Sequence, residues 1–358
     1  MKKGEIAMKK LLRFLLTMLL IVVLAVGGLL GWLTVTEFNP GPVEPLTVRG
    51  ASKSLPALAG ERLSLLSWNI GYAGLGAESD FFMDGGENSM SADRDTVQRY
   101  LAGMAETLEN GDYDVVLLQE VDVNSTRSYS IDETTAFLRA NGVHALNYSC
   151  PFVPIPVPPI GKVNSGLFTT ADYRIDRAER VSLPCPFSWP MRIANLKRCL
   201  LVSYFPIEGT DRQLVLVNLH LEAYDDGEGK IAQTNRLRTF IQEEYEKGNY
   251  VIAGGDFNQT FPGSPERYPI LDPTLWAPGA LDESLLPEGW SFAYDMETPT
   301  CRLLNQPYDP DNTQHFVIDG YILSPNIALE NVETLDLGFA NSDHNPVALR
   351  VRLLEEAA

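Results

Sequence analysis

Histidine and cysteine are scarce in this sequence, and their scarcity limits the chemistry that it can support. Four histidines and four cysteines occur among 358 residues. The cysteines match no zinc-ligand spacing, and a zinc site would need more of either residue than the candidate positions offer. No serine or cysteine lies beside a base in a recognisable nucleophile elbow. A zinc centre and a covalent protein nucleophile are therefore both poorly supported.

Positive charge is also in short supply. The chain has 28 Lys and Arg against 47 Asp and Glu, a net charge of −19. Residues 1–35 hold five of the cations and one of the acids, so the remainder carries −23. Such a field repels polyanions and disfavours extended tracking along nucleic acid, although bound divalent cations could reverse the sign locally. A single phosphate group remains an acceptable ligand.

One long uncharged run, from Phe14 to Val35, stands near the N-terminus. About 20 apolar residues suffice for a helix to cross the hydrocarbon of a bilayer. Basic residues precede the run, so the positive-inside rule predicts a single-pass cell-membrane protein whose following domain is extracytoplasmic. A cleaved signal peptide is the alternative. The run is longer than a usual signal core and no A-x-A site follows it closely, which favours a retained anchor.

The four cysteines would then lie in a compartment that permits disulfides. Cys185 and Cys199 could pair across a 14-residue separation, and the state of Cys150 and Cys301 is open. Buried free thiols are the alternative for all four, and the sequence leaves both possibilities open.

The predicted organisation has four parts. Residues 1–13 form a basic cytoplasmic tail, 14–35 a transmembrane signal anchor, 36–57 a stalk containing NPGPVEP, and 58–355 one folded domain. No low-complexity break or short repeat divides that domain.

Strand-like and helical patterns alternate within the domain. Six apolar runs predict strands, starting at Leu63, Asp114, Gln213, Asn249, Phe316 and Asn345. Val97 to Leu108 has a helical period, with Asp93 as N-cap and Gly111 beyond its end. A second helix is predicted from Ile231 to Tyr245. This mixture indicates packed sheets covered by helices, an α/β fold.

The segment 147–197 is rich in proline, with PFVPIPVPPIG and CPFSWPMR as its densest parts. Closely spaced prolines disfavour a helix or a central strand. The segment is either a rigid rim beside a binding cleft or a surface loop that packs its own apolar residues.

Most of the predicted strands end in an amide, a carboxylate or an imidazole. The motifs are SWNI (Asn69), LQEV (Glu120), NLHL (Asn218, His220), GGDFN (Asp256, Asn258), VIDG (Asp319) and NSDHNP (Asp343, His344). Any one of them could be a simple cap or turn. Together, at the carboxyl ends of neighbouring strands, they predict one pocket. Their oxygen ligands suit Mg²⁺, with Mn²⁺ as a second possibility, and phosphate ester hydrolysis needs such a cation.

In this ordered set the sequence resembles the endonuclease/exonuclease/phosphatase superfamily, from about Leu63 to Leu353. The resemblance implies a four-layer α/β/β/α sandwich of the deoxyribonuclease-I-like type, here preceded by one transmembrane helix. It also implies a Mg²⁺-dependent hydrolase of phosphate esters, most simply a phosphodiesterase, in which water attacks phosphorus directly.

Residue roles follow from the resemblance, motif by motif. Glu120 would be the main metal ligand, with Asn69 and Asp343 helping to hold metal or phosphate. Asp256 would orient or deprotonate water, and Asn258 would donate to a phosphoryl oxygen. His344 would stabilise the transition state, oriented by Asp319. His220 would contact the phosphate or the leaving group, as its counterpart does in nuclease and sphingomyelinase members.

Three further residues are predicted to bind substrate, on weaker matches. Asn218 belongs to the NLHL motif, and Asn164 stands where many members have a Gly-Asn pair. Arg198 lies in a small basic cluster that could meet a leaving group or could be surface cations packed by their stems. His144 and His315 match no motif and are expected to be structural.

The superfamily does not fix the substrate. An extracellular endonuclease would need a basic groove, of which the acidic chain shows little. A phospholipid head-group hydrolase would need apolar loops beside the pocket, and Phe152, Ile155, Val157, Ile160, Phe187 and Trp189 could supply them. A binding module without catalysis is disfavoured because every expected position is filled. We expect a monomer whose partners are its phosphate-ester substrate and, through the N-terminal helix, the membrane.

Overall fold

Two seven-stranded sheets form the centre of the structure, a computed structural model that describes residues 2–50, 55–58, 62–90, 93–225 and 227–354. The first sheet has the spatial order β1 (Val43–Leu46), β7 (Arg177–Ser182), β8 (Cys199–Pro206), β9 (Gln213–His220), β10 (Tyr250–Asp256), β16 (Asp319–Leu323), β13 (Ser291–Ala293). The second has the order β17 (Ile327–Thr334), β18 (Val347–Leu353), β3 (Arg62–Asn69), β4 (Val115–Asp122), β6 (Gly161–Ala171), β5 (Asn141–Val153), β2 (Arg49–Gly50).

Short strand pairs and helices complete the secondary structure. The pairs are β11 (Gln259–Thr260) with β12 (Gly279–Ala280), and β14 (Cys301–Arg302) with β15 (His315–Phe316). The α-helices are α1 (Lys2–Val35), α2 (Arg94–Asn110), α3 (Thr134–Phe137), α4 (Glu228–Glu246) and α5 (Ser264–Arg267).

In the described part of the chain, each large sheet contains one parallel strand pair, and a helix makes the crossover in both. Strands β3 and β4 are joined through α2, and strands β9 and β10 through α4. Parallel neighbours need such a crossover, and it brings their carboxyl ends to the same edge of the sheet. The crossovers therefore place the predicted polar strand ends at one edge of each sheet.

The layers follow from which faces are apolar. Alternate residues of both sheets, such as Leu65, Leu117, Leu216 and Ile252, meet in a buried core between the sheets. On the outer face of the second sheet α2 packs through Val97, Tyr100 and Met104, and on the outer face of the first sheet α4 packs through Leu237, Phe240 and Ile241. The predicted α/β/β/α sandwich is confirmed.

The helix predictions hold with one correction. The Asp93 carboxylate accepts a hydrogen bond of 2.7 Å from the Thr96 backbone N–H, which makes it the N-cap of α2 as predicted. In α4, by contrast, Ile231 is exposed. It is six residues from Leu237, so the 100° advance per residue places it on another face.

The segment predicted as a stalk differs from the prediction, because part of it belongs to the sheets. Strand β1 pairs with β7, where Val43 lies opposite Val181, and Arg49 of β2 lies opposite Gly142 of β5. Proline is tolerated in β1 because this strand lies at the sheet edge, where one of its sides needs no ladder hydrogen bonds. Residues 51–54, also assigned to the stalk, lie outside the described residues.

The N-terminal helix is long and apolar enough over Gly4–Val35 to cross a membrane. Such a helix fits a membrane anchor or a signal sequence. Its last turn is not isolated: Leu33 is buried against Val153 and Ile193 of the domain.

All four cysteines are described and are free thiols, so the Cys185–Cys199 disulfide is absent. Cys185 is exposed, whereas Cys150, Cys199 and Cys301 are buried. The buried three behave as small apolar residues.

Candidate active site

The predicted polar residues meet at one edge of the sandwich. In the first sheet Asp256 lies opposite His220 on one side and Asp319 on the other. In the second sheet Asn69 ends β3, and Glu120 lies near the end of β4. Because both parallel pairs end at this edge, the four strands deliver their side chains to one place.

Asp256 is the centre of the hydrogen-bond network there. Its Oδ1 accepts from the backbone N–H of Asn258 at 2.8 Å, and its Oδ2 accepts from Asn69 Nδ2 at 3.0 Å. The same Oδ2 lies 3.4 Å from His220 Nε2 and 3.9 Å from His344 Nε2. These contacts hold the carboxylate in one orientation.

Glu120 reaches the site through a local distortion of β4. The β4–β6 ladder shifts register between Leu118 and Val121, and Glu120 within this bulge has φ 56°. A β-bulge re-aims a side chain, and a left-handed conformation at a non-glycine residue is strained. Asn258 has φ 50° as well. Two residues that face the cavity are thus held in a strained backbone conformation.

Asp319 and His344 form a buried pair. His344 Nδ1 donates to Asp319 Oδ2 at 2.8 Å, which directs Nε2 away from Asp319. Burial alone would lower the pKa of His344, but the Asp319 carboxylate outweighs it and the pKa lies well above its usual value. His344 is therefore a fixed, positively charged imidazolium.

His220 has the opposite state. Burial, reinforced by the nearby charges of Arg198 and His344, holds the pKa of His220 well below its usual value. Its Nε2 lies 3.9 Å from Glu120 Oε1, and its Nδ1 is buried without a hydrogen-bond partner among the described residues. His220 is a neutral imidazole.

The acidic residues of the site fit a divalent cation. Burial, with the neighbouring Asp319 carboxylate, raises the pKa of Asp256 to about 7. Burial also raises the pKa of Asp343 to about 6, with Glu120 adding to the shift and His344 opposing it. Burial is the main cause of both shifts, and a bound dication would stabilise the charged forms of these carboxylates.

Which acids would hold the ion follows from their other contacts. Asp256, Asp319 and His344 place three ligand atoms within 4.8 Å of one another, but the Asp319–His344 hydrogen bond engages two of these residues. Among the described residues, neither Glu120 nor Asp343 forms a hydrogen bond with an imidazole nitrogen, and both line the cavity. They supply the oxygen ligands that Mg²⁺ prefers, and Asn69 holds Glu120 in place by donating to its Oε1 at 3.3 Å.

A cavity of about 520 Å³ lies over this network. Six of the residues predicted for catalysis or metal binding line it, namely Glu120, His220, Asp256, Asn258, Asp343 and His344. Asn69 and Asp319 lie behind them and act through their hydrogen bonds. The remaining walls come partly from residues 153–160 and 190–196 and from Leu30 and Leu33 of α1. These two proline-rich stretches form a rim, but the prediction of a loop throughout 147–197 is wrong, because β6 and β7 lie within it.

The three residues predicted to bind substrate are placed differently. Arg198 lines the cavity, but it is buried and pairs with Glu222 at 3.3 Å, so it is no surface cation. Asn218 lies between the sheets, where its Nδ2 donates to the carbonyl groups of Leu118 and Phe168. That position gives Asn218 a structural role and removes it from the cavity wall.

Asn164 is also turned away from the cavity, and its carboxamide oxygen accepts from Ser149 Oγ. The next residue, Ser165, is on the wall instead, because successive side chains of a strand face opposite sides. Its Oγ is buried without a hydrogen-bond partner among the described residues, and so is Asn147 Nδ2 nearby on the same wall. Both are substrate-binding candidates that the sequence did not indicate.

An arginine that belongs to no motif also faces the cavity. Arg127 lies 3.7 Å over the ring of Tyr72 and is fixed by Asp122 through two hydrogen bonds of 2.9 and 3.0 Å. Its position after β4 in VNSTRS carries no pattern that would have revealed it.

His144 and His315 lie elsewhere, as expected. His144 Nε2 is 3.2 Å from the Val121 carbonyl oxygen, and the His315 ring stacks on Phe339 with centroids 5.7 Å apart.

Residues 66–344 match the model of the endonuclease/exonuclease/phosphatase family. The chain belongs to this family. Membership implies phosphoester hydrolysis, and the family is typically dependent on a divalent metal ion. None of the curated proteins compared with the chain matches it.

Solved structures of other family members share the fold. The chain is similar to an endonuclease/exonuclease/phosphatase from Beutenbergia cavernae, with 17% identity and a TM-score of 0.54 over 82% of this chain and 72% of that chain. It is similar to a family protein from Bacteroides thetaiotaomicron at 16% identity and TM-score 0.50, over 82% and 98% of the two chains. It is also similar to a family member from Bacteroides vulgatus, with 15% identity and a TM-score of 0.50 over 82% of this chain and 99% of that chain. At these identities the likeness shows the fold alone.

Proposed function

We propose that this protein is a Mg²⁺-dependent phosphodiesterase in which water attacks phosphorus directly. The observation that carries the proposal is the convergence on Asp256 of groups from both sheets. His220 ends β9 of the first sheet, whereas Asn69 ends β3 of the second sheet and His344 lies in the loop before β18 of that sheet. Hydrolysis adds water across one P–O bond and yields a phosphomonoester and an alcohol that takes up the proton.

The residues divide the work by charge and position. Asp256, held by Asn69 and Asn258, would align the water and accept its proton. The positive His344, fixed by Asp319, would stabilise the charge that develops on the phosphoryl oxygens. The neutral His220 would contact the phosphate or the leaving-group oxygen.

Metal binding belongs to the same proposal. Glu120 and Asp343, with Asn69, would hold Mg²⁺, and Mn²⁺ would suit the same oxygen ligands. When bound, the ion would neutralise and polarise the phosphoryl oxygens.

Hydrolysis of bis-p-nitrophenyl phosphate by the full chain in detergent tests this function. We expect turnover with Mg²⁺, none with chelator, and recovery when Mg²⁺ is returned. Asp256→Asn should lower kcat by roughly 10²–10⁴-fold, since it removes the proton acceptor. Asp211→Asn is the matched control, because Asp211 is exposed in the β8–β9 turn at the opposite end of the sheet. Unchanged turnover in chelator, or in Asp256→Asn, would refute the proposal.

A further inference from the structure

The C-terminal end of α1 indicates where the domain would lie relative to a membrane. The uncharged run begins at Phe14, directly after Arg13. At 1.5 Å per residue, Leu33 lies roughly 29 Å further along the helix, close to the thickness of about 30 Å of bilayer hydrocarbon. If α1 spans the bilayer, Leu33 therefore lies at the hydrocarbon boundary.

The cavity mouth is fixed to this end of the helix. The apolar rim, defined as residues 153–160 and 189–193, contains Val153 and Ile193, which bury Leu33. Trp189 Nε1 donates to Thr34 Oγ1 at 3.2 Å. Just beyond the helix, Glu37 pairs with Arg192 at 3.2 Å and with Lys197 at 3.1 Å. The rim is held at the level where α1 leaves the hydrocarbon.

The rim exposes apolar side chains that the domain does not cover. Val157 is 90% exposed, Ile155 65%, Met191 62% and Trp189 54%. Contiguous exposed apolar residues mark interaction sites, and tryptophan is enriched at membrane interfaces. Four prolines among residues 153–160 restrict the backbone, so little conformational freedom would be lost on docking.

Charge favours a neutral lipid surface over a polyanion as the occupant. Residues 153–160 carry no charge, and the cation of the other rim segment, Arg192, is paired with Glu37. The chain after residue 35 carries −23. Docking would therefore depend on apolar insertion and would respond little to salt.

The wall between the catalytic residues and the rim becomes progressively less polar. Along β6, Gly166 lies opposite Val121 beside Glu120, and Ser165 follows it toward the rim. Val153 and Ile160 lie in the rim on the same cavity wall, and both join Leu33 in one apolar cluster. At about 3.3 Å per strand residue, the path from Gly166 to Gly161 is roughly 17 Å long. A ligand with its phosphoester at Glu120 would extend along apolar surface toward the end of α1.

We propose that the apolar rim docks on the bilayer crossed by α1, so that the cavity receives the phosphodiester head group of a lipid from the leaflet at the C-terminal end of that helix. The substrate part of this inference rests on the proposed function; the docking part does not.

Docking is tested on the full chain reconstituted in phosphatidylcholine vesicles. Val157→Cys, in a Cys185→Ser background, would carry an environment-sensitive fluorophore, and Leu329→Cys in the same background is the control. Leu329 is 44% exposed in β17, opposite Val351 and toward the end of the sheet away from the site. We expect quenching by lipid-borne nitroxide at position 157 and not at 329, unchanged at high salt. Equal quenching at the two positions would overturn the docking.

Substrate capture is tested by placing an aspartate at each of the two positions, 157 in the rim and 329 in the control site. Val157→Asp should lower hydrolysis of phosphatidylcholine, phosphatidylglycerol or sphingomyelin in vesicles by roughly tenfold or more, since a charge replaces an inserted apolar group. Leu329→Asp should not. Phosphomonoester formation is read by phosphorus NMR, and bis-p-nitrophenyl phosphate should be cut equally by both variants.

The outcomes separate the two proposals. Turnover of bis-p-nitrophenyl phosphate without turnover of any vesicle lipid would overturn lipid capture and leave the phosphodiesterase standing. Equal rates of lipid hydrolysis in vesicles by Val157→Asp and the parent would overturn lipid capture as well. Failure on every substrate would refute the phosphodiesterase, and the fluorescence experiment would still decide docking.

Discussion

His220 and His344 lie in one cavity and carry different charges. His344 is held positive by Asp319, whereas His220 is held neutral by burial and by the cations near it. Environments that separate the pKa values of like residues commonly assign them different catalytic tasks. A neutral imidazole can donate a hydrogen bond to the phosphate or to a leaving-group oxygen, and an imidazolium supplies positive charge.

The first prediction concerns the residue that fixes this difference. Asp319→Asn removes the carboxylate that raises the pKa of His344, and burial, which lowers it, remains. We expect the alkaline limb of the pH–rate profile to move to lower pH and kcat to fall by roughly 10²–10⁴-fold. Proton NMR titration of His344 would follow the pKa directly.

The control for that prediction is Asp211→Asn, since Asp211 is an exposed residue of the same type. Its profile should coincide with that of the parent. A fall in kcat without movement of the alkaline limb would mean that Asp319 acts by some route other than the charge of His344.

At the scale of elements, the two sheets are joined beneath the site by a polar contact inside an apolar core. Gln119 Nε2 donates to Asn218 Oδ1 at 2.8 Å, and Asn218 in turn donates to the carbonyl groups of Leu118 and Phe168. Buried amides of this kind are costly unless all their partners are present. The contact therefore fixes the register of the sheets beneath Glu120 and His220.

The second prediction follows from this contact. Asn218→Leu should destabilise the fold by roughly 1–3 kcal/mol, because the carbonyl groups of Leu118 and Phe168 lose their donor. KM for bis-p-nitrophenyl phosphate should stay the same, since Asn218 is absent from the cavity wall. Thermal unfolding and steady-state kinetics measure the two quantities, with exposed Asn331→Leu as the control. A raised KM with unchanged stability would restore the substrate-binding role.

Much of the site was predictable because its strands combine apolar runs with polar ends. Asn69, Glu120, His220 and Asp256 stand where such runs stop, and the crossovers collect them at one edge. Strand β5 escaped prediction because Pro151 lies within it, near the sheet edge where proline is tolerated. Edge strand β1 is likewise extended because β7 pairs with it, which the local sequence does not encode.

The choice of Asn164 over Ser165 shows a second limit. Asn164 was chosen from a motif in a segment where no strand was predicted, and the structure places it in β6, where a shift of one residue exchanges the two faces. The local sequence does not determine which face of the strand lines a cavity whose other walls are distant loops.

At the scale of the whole molecule, the buried carboxyl groups of the site make the stability of the fold depend on pH. The folded-state pKa values of Asp256 and Asp343, about 7 and about 6, lie above the ordinary 3.8. The folded protein therefore binds more protons than the unfolded chain between those limits, and without metal its stability falls as pH rises through that window. If Mg²⁺ binds at Asp343 as proposed, it would favour the deprotonated form of both carboxylates and would compete with these protons.

The third prediction is that the rise in Tm produced by Mg²⁺ is larger at pH 8 than at pH 5.5, roughly the conditions above and below both pKa values. Unfolding of the full chain in detergent, with Mg²⁺ or chelator, would measure it. Asp343→Asn should reduce the rise, whereas Asp211→Asn should leave it as in the parent. A rise independent of pH would place the cation away from these two carboxylates.

The N-terminal helix also forms part of the cavity, because Leu30 and Leu33 lie in its wall. A protease that cut after α1 would release a protein with an opened pocket and a newly exposed apolar seam along Val153, Ile160 and Ile193. Release from the membrane would thus be coupled to a change in what the enzyme can hold. A fragment prepared without this helix would, for the same reason, have a different cavity from the full chain.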